Sequence, residues 1–377
     1  MDLSSIKLYR ESDEPLHLQL AGQLRRRILS HPGATLFLPS ERSLSLALKL
    51  NRSTVHRAYE ALLQEGAVRM CSNRKLEILP GAKRRLAGAF PSIGVLLPEK
   101  FSLYVERNNG STLHYLKGIF DRAAELNCSI YTLEIPSPET PADEVNAFIG
   151  NVFHKLIGII HLGGRQITPD KPLETVFECN DLPQIFLSGV SAFPHIGSVY
   201  TDFTAAALEL VKKLKKSNCR SVGLLSFKES GGNRLFTYAA DSRLEKMKSI
   251  FISNGFQVDE KWEIASSSPE DMAEMLDRTR RISPALPDFF WCMNDDIALR
   301  ALEYFKSNGI SVPQDVQIAG YDGIAPDSPL TTIAQRFDLL GAGAVDLLME
   351  HFESGINNNN RIKTVEAFLI PGSTIKE

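Results

Sequence analysis

Leu38-Pro39-Ser40-Glu41-Arg42-Ser43-Leu44-Ser45-Leu46-Ala47-Leu48-Lys49-Leu50-Asn51-Arg52-Ser53-Thr54-Val55-His56-Arg57-Ala58-Tyr59-Glu60-Ala61-Leu62-Leu63-Gln64-Glu65-Gly66 reads as two short helices joined by a tight turn. Ser40 suits an N-cap with Glu41 in the first turn behind it, and Leu44, Ala47 and Leu48 form an apolar face. Asn51 suits the next N-cap, Val55, Ala58 and Leu62 form the second apolar face, and Gly66 ends the helix. That second helix keeps Arg52, Ser53, Thr54, His56 and Arg57 near its start, mostly off the apolar face. Small polar and basic side chains at a helix start are what base edges and phosphates require.

Upstream, Pro15 fits a first helical turn, and Leu16, Leu20, Leu24 and Ile28 make one stripe at fourfold spacing. Arg25, Arg26 and Arg27 crowd that helix's C-terminal end, where its dipole favours cations, and His31-Pro32-Gly33 stops it. Downstream, Val68, Leu76 and Ile78 flank the polar turn Ser72-Asn73-Arg74, a pattern that predicts a short hairpin beside the helices. Residues 80–91, with two prolines, two glycines and the basic triplet Lys83-Arg84-Arg85, read as a linker.

The motif keeps family spacing without a gap. Leu38-Pro39-Ser40-Glu41-Arg42, Asn51-Arg52-Ser53-Thr54-Val55, and then Ala58, Leu62, Glu65 and Gly66 resemble the winged helix-turn-helix of GntR-type regulators across residues 15–79. The resemblance implies binding of double-stranded operator DNA, with contacts carried over to Arg42, Arg52, Ser53 and Thr54. Two places depart from the family: His56 stands at a commonly basic position, and Asn73-Arg74-Lys75 stands where the wing usually has Gly-x-Gly. His56 is added as a candidate contact because of its place in the helix.

Charge divides the same way. Residues 1–91 hold 15 Lys and Arg against 8 Asp and Glu, and the remainder holds 27 against 37. A basic head on an acidic body predicts that only the head meets a polyanion. Five scattered cysteines without a Cys-x-x-Cys argue against a disulfide framework or zinc site, and predict a reducing, cytoplasmic setting. No apolar run approaches the roughly 20 residues needed to span a bilayer, so no membrane partner is expected.

From Ser92 the pattern alternates. Strands are predicted at 93–97, 129–133, 156–162, 184–187, 221–226, 262–265, 288–293 and 316–319, with amphipathic helices at 113–126, 203–216, 239–253 and 296–307. This predicts an α/β body with parallel sheets, and its length predicts two doubly wound lobes around a cleft. Polar residues just after strands face such a cleft, here Asn294-Asp295-Asp296 and Tyr321-Asp322. Asn294-Asp295-Asp296 lacks the bidentate Glu of a calcium loop, and Gly341-Ala342-Gly343 lacks the third glycine of a dinucleotide motif and reads as a packing helix. His161 reads as structural. No metal, cofactor or enzymatic activity is expected.

A second resemblance rests on Ile93-Gly94-Val95-Leu96-Leu97-Pro98, Asn294-Asp295 with Ala298-Leu299, Val312-Pro313-Gln314-Asp315-Val316, Gly320-Tyr321-Asp322, Pro329-Leu330-Thr331-Thr332-Ile333, and Leu340-Gly341 with Ala344-Val345 and Leu347-Leu348. These resemble the LacI/GalR-type effector domain, which shares the fold of periplasmic sugar-binding proteins. The resemblance implies that Asn294 and Asp322 bind ligand hydroxyls and that Gln335 and Phe337 line the cleft on a late crossover. It also implies a ligand-binding role for Arg243, twelve residues before Gly255, although Lys246 stands where a glycine is usual. Ser188 stands near the place of a common acidic contact. The expected whole is a winged head at 1–79, a linker at 80–91 and an effector and dimerisation domain at 92–377. It resembles arabinose-responsive hybrid repressors, and implies a homodimer controlled by a sugar or sugar derivative.

Overall fold

The computed structural model describes residues 14–30, 37–71, 75–79, 91–97, 100–106, 110–134, 140–152, 155–162, 171–179, 182–227, 236–268, 271–354 and 359–376, together with Ile6, Leu8, Ala82, Leu86 and Ile356. Within the first two of these segments, three helices pack on one core: α1 (Leu16–Ser30), α2 (Glu41–Leu48) and α3 (Arg52–Gln64). Leu20, Leu24 and Ile28 of α1 meet Leu44, Val55, Ala58 and Leu62, all buried. Side chains of this size each contribute about 1.5–3 kcal/mol when removed from water. Ser40 accepts from the Ser43 amide and caps α2. Asn51 occupies the N-cap position of α3 with extended backbone, but its side chain makes no capping bond. Ala47, read above as apolar face, is exposed, and Leu44 alone anchors α2 deeply. Leu48, one turn further on, packs against the same core while remaining partly exposed.

An antiparallel hairpin, β1 (Val68–Met70) and β2 (Leu76–Ile78), follows with Arg69 opposite Glu77. The proposed turn at Ser72-Asn73-Arg74 lies outside the described residues, as do most of positions 80–91. Within that stretch Ala82 is buried in the head's core, and Leu86 packs against both this core and that of the first lobe.

The body is two lobes, each on a six-stranded sheet. In the first lobe, β3 (Ser92–Leu97), β4 (Ser129–Glu134), β5 (Gly158–His161), β6 (Gln184–Leu187), β8 (Ile196–Asp202) and β15 (Ile362–Glu366) are parallel in the order β15-β8-β6-β5-β3-β4. In the second, β9 (Ser221–Phe227), β11 (Gln257–Ser266), β12 (Phe289–Cys292), β13 (Gln317–Asp322), β14 (Thr331–Ala334) and β16 (Phe368–Ile370) run in the order β11-β9-β12-β13-β14-β16, with β16 alone antiparallel. The short apolar runs of β9 and β12 suit strands covered on both faces. The second lobe's core is rich in aromatic rings, including Trp262, Trp291, Phe251, Phe289, Phe290 and Phe305.

The chain passes between lobes three times: after Asp202, between β14 and α12 (Phe337–Ser354), and at Ala367 between β15 and β16. The Ala367 amide donates to the Asp202 carbonyl at 2.8 Å, joining the first and third passages. A two-stranded ribbon adds a fourth link, pairing β7 (Gly189–Ser191) of the first lobe with β10 (Phe236–Tyr238), which leads directly into α9 (Ala239–Ser253) of the second. The intervening helices of the body in chain order are α4 (Phe101–Glu106), α5 (Gly110–Glu125), α6 (Ala142–Val152), α7 (Lys171–Glu178), α8 (Thr204–Lys216), then α9, α10 (Met272–Ile282) and α11 (Asp295–Ser307).

Two glycines set the closest helix contact. A Cβ on Gly118 would run into the Asp338 backbone, and one on Gly341 would run into the Tyr115 carbonyl. Their absence lets α5 and α12 approach nearly backbone to backbone, so Gly341-Ala342-Gly343 belongs to a packing helix.

Candidate functional site

The second lobe presents its charge at the carboxyl end of β13. Asp322 ends that strand with φ 114, and Gly323 follows at φ 77. An L-residue in this region carries about 1–3 kcal/mol of backbone strain. The buried Asp295, first residue of α11, holds the turn in place. Its Oδ2 accepts from the Gly323 and Ile324 amides at 2.8 Å each, and its Oδ1 accepts from the Thr332 hydroxyl at 2.6 Å. Gly320 has no room for a Cβ because the same Asp295 carboxylate fills that space.

Three groups meet the Asp322 carboxylate or its neighbours. Gln335 Nε2 donates to Asp322 Oδ1 at 2.7 Å, and the Gln335 amide donates to the Asp322 carbonyl at 3.1 Å. Arg243 Nη1 lies 3.5 Å from Asp322 Oδ1 and donates to the Met293 carbonyl at 2.8 Å. The Arg243 guanidinium also stacks 3.7 Å above the Tyr321 ring. Arg243 is only 9% exposed, yet its Nε has no hydrogen-bond partner. A buried donor left without a partner costs free energy, so an acceptor placed against this atom would be favoured. Burial pushes the Asp322 carboxyl up to about 6, with Arg243 pulling the other way.

Gln335 is oriented from its other end. Thr201 in β8 donates its hydroxyl to Gln335 Oε1 at 2.5 Å, which fixes the amide so that Nε2 faces Asp322. The next residue, Asp202, pairs with Lys246 of α9 at 3.1 Å, and hydrogen bonds from Thr204 hold its carboxyl below the ordinary value. Lys246 therefore has a structural partner at the first passage between lobes, a local reason for the lysine at that position.

Opposite, the first lobe offers hydroxyls. Tyr115 of α5 and Ser188, which follows β6 with φ 68, share a 2.5 Å hydrogen bond. Burial pushes the Tyr115 phenol up to about 12. Phe337 meets Tyr115 edge-on at 5.0 Å and is buried in the first lobe's core. It supports Tyr115 rather than joining the polar cluster. Asn294 follows β12 and caps α11, its Oδ1 accepting from the Ile297 amide at 2.9 Å. The structure thus brings Arg243, Asp322 and Gln335 into one network, and sets Asn294 beside it through Met293. Of the residues that join this cluster, Tyr115 and Thr201 were not singled out in the sequence, whereas Ser188 was noted near the place of a common acidic contact and Tyr321 for its place beside a strand end. The one signal was position, since each except Tyr115 lies in the last two residues of a strand or directly after it.

In the head, Arg42 is exposed and its guanidinium has no hydrogen bond or ion pair among the described residues. Ser53 is exposed and Thr54 half-buried, in the first turn of α3. Arg52 Nε donates to Glu41 Oε2 at 3.1 Å, and His56 Nδ1 lies 2.8 Å from Glu41 Oε1. Glu65 pairs with Arg25 of α1 rather than with Arg42. Tyr59 donates its hydroxyl to the Pro39 carbonyl at 2.7 Å, which ties α3 to the chain entering α2. All five candidate residues therefore lie on or beside one end of α3. Among the described residues no group of three or more His, Cys, Asp or Glu could hold a metal ion, and no helix is long and apolar enough to cross a membrane.

Residues 211–375 match the family model of the periplasmic binding protein-like domain. Catabolite control protein A of Staphylococcus aureus (strain Mu50 / ATCC 700699) is 23% identical over 266 residues, covering 69% of this chain and 74% of that protein. The HTH-type transcriptional repressor PurR of Haemophilus influenzae (strain PittEE) is 32% identical over 141 residues, 35% of this chain and 41% of that one. Among solved structures, a LacI family transcriptional regulator from Arthrobacter sp. FB24 in complex with lactose superposes with a TM-score of 0.57 at 19% identity, covering 76% of this chain and 100% of that chain. The body therefore has the periplasmic-binding-protein-like fold, and the proteins it resembles include a transcriptional repressor and a LacI family transcriptional regulator.

Proposed function

We propose that this chain is a transcriptional repressor whose operator affinity is set by a small sugar-like ligand in the interlobe cleft. The observation that carries the reading is the buried Arg243–Asp322–Gln335 network, with an unpartnered Arg243 Nε at its centre. A polyol matches it chemically. Hydroxyls can donate to Asp322 and accept from Arg243, and the Asn294 amide and the Tyr115–Ser188 hydroxyl pair supply further polar groups on both walls. A ligand touching both lobes favours their closure, and the three passages and the ribbon carry that closure toward the head.

Residues 15–79 act in this reading as a GntR-type winged helix-turn-helix. Arg52, Ser53, Thr54 and His56 enter the major groove from the start of α3, with Arg42 beside them. A homodimer formed through the body supplies the second head for a two-fold operator. Coupling between ligand and DNA of about 1–3 kcal/mol changes operator affinity roughly 5–150-fold.

A thermal-shift screen against pentoses, hexoses, deoxysugars and uronic acids tests the cleft, since a ligand that binds only the folded state raises its stability. A stabilising sugar that also alters operator binding is the expected result. No shift from any of these classes would remove the sugar reading.

A further inference from the structure

The head contains a carboxylate that joins its two principal reading residues. Glu41 is on α2, and both of its oxygens are engaged by α3, Oε2 by Arg52 at 3.1 Å and Oε1 by His56 at 2.8 Å. One turn further along α3, Glu60 Oε1 lies 3.4 Å from His56 Nε2. The imidazole therefore has a carboxylate at each ring nitrogen, and the charge of Arg52 acts on it in the opposite sense. Both His56 and Arg52 are well exposed, with side-chain exposures of 55% and 72%, whereas Glu41 is at 25%. Glu41 engages Arg52 through Nε alone, which leaves Nη1 and Nη2 for the paired guanine acceptors O6 and N7.

Resting on the reading of this head as a DNA binder, we propose that Glu41 and His56 make it a proton-sensitive DNA reader. Glu41 buttresses Arg52 in its base-reading pose. The charge on His56 decides whether the cluster of Glu41, Arg52, His56 and Glu60 meets DNA as a neutral group or as a net anion. With His56 protonated, Glu41 and Glu60 are matched by Arg52 and the imidazolium. With His56 neutral, two carboxylates face the phosphates against one guanidinium, and the approach of a polyanion is opposed.

The electrostatics run in the same direction. The hydrogen bond that Glu41 accepts from the imidazole and the charge of Glu60 hold His56 above the ordinary histidine range, against the opposing effects of burial and Arg52. Glu41 is lowered in return, first by its bond to His56. Nearby phosphates raise the imidazole further, so the complex binds protons that the free head releases. Operator affinity therefore falls as pH rises between the two values, by up to about tenfold per pH unit for each head engaged.

The test uses the full-length protein and a duplex it has selected from a random pool, with affinity measured across about pH 5.5–8.5 at fixed ionic strength. Wild-type affinity should fall with rising pH. His56→Lys should bind tightly with a flat profile, and His56→Gln should bind weakly with a flat profile. Glu41→Gln should keep a pH dependence shifted to lower pH and relax base preference at the position read by Arg52. A flat wild-type profile, or a His56→Gln profile as steep as wild type, overturns the proposal while leaving the head a DNA binder. Failure to bind any duplex in a salt-sensitive way at any pH overturns the reading of the head, and this inference with it.

Discussion

The chain uses the same chemical pair twice, in opposite surroundings. In the head, Arg52 and Glu41 are 3.1 Å apart, and the arginine side chain is 72% exposed. In the body, Arg243 and Asp322 are 3.5 Å apart, and their side chains are 10% and 17% exposed. An exposed pair in water contributes about 0–1 kcal/mol and keeps its donors available to a large partner. A buried pair is held by its surroundings, here the Tyr321 ring, the Met293 carbonyl and Gln335, so removing one member leaves the other stranded at a cost of about 3–5 kcal/mol. Burial thus separates the two tasks. The exposed arginine suits a polyanion that arrives from outside, and the buried one suits a small neutral molecule that must replace water and bridge two walls.

The sharpest break in that contrast is Asp322→Ala. It should abolish the thermal shift produced by an identified ligand and destabilise the body by about 3 kcal/mol, with operator binding intact. Retention of a normal ligand shift would show that the buried pair is not the ligand's partner. Second comes Arg52→Ala, expected to weaken operator binding by about 1–3 kcal/mol in a gel shift while leaving ligand binding unchanged. Asp322 also gives the buried pair a pH signature of its own. Its carboxyl titrates near 6 in the folded chain against an ordinary value of 3.8, so the folded state binds the proton more tightly than the unfolded one. This contribution makes the body less stable as pH rises from about 4 to about 6, and Asp322→Asn should remove it from the urea midpoint measured against pH. Ligand hydroxyls that donate to the carboxylate favour its ionised form, so ligand affinity should rise over the same window.

Smaller effects sharpen the contrast further. Gln335→Leu removes the bond to Asp322 and the link to Thr201, and should cost about 1 kcal/mol in stability and more in ligand affinity. Glu41→Gln should change the unfolding free energy measured in urea by less than about 1 kcal/mol, because its partners are solvated.

The alternation of the body was legible because covered strands carry continuous apolar runs. Helix 239–253 and strand 184–187 coincide with their predicted bounds. The edge strand β11 was predicted only from Trp262, since its first half, Gln257 to Lys261, is polar and largely solvated. β14 was missed as a strand because its two buried threonines satisfy their hydroxyls locally, Thr331 with Gly372 and Thr332 with Asp295. Such burial leaves no hydrophobic signature. Asp322 was reached from its place after a strand as well as through resemblance, and Arg243 through resemblance alone. Their meeting across 79 positions, and the share of Tyr115 and Thr201 in the cleft, are properties of packing that local spacing does not encode. Asn294 illustrates an ambiguity of residue type, since the same amide that could serve a ligand also caps a helix.

The three passages between lobes also bear on synthesis. The first lobe needs α12 and β15, and the second needs β16, yet all three come from the final segment of the chain. Among the described residues, the head's core is complete by Leu86. A polypeptide that stops before Ile362 therefore leaves both sheets short of an edge strand, while every described residue of the head's core has already been made. On the ribosome the head's core is therefore made before either sheet of the body receives its edge strand.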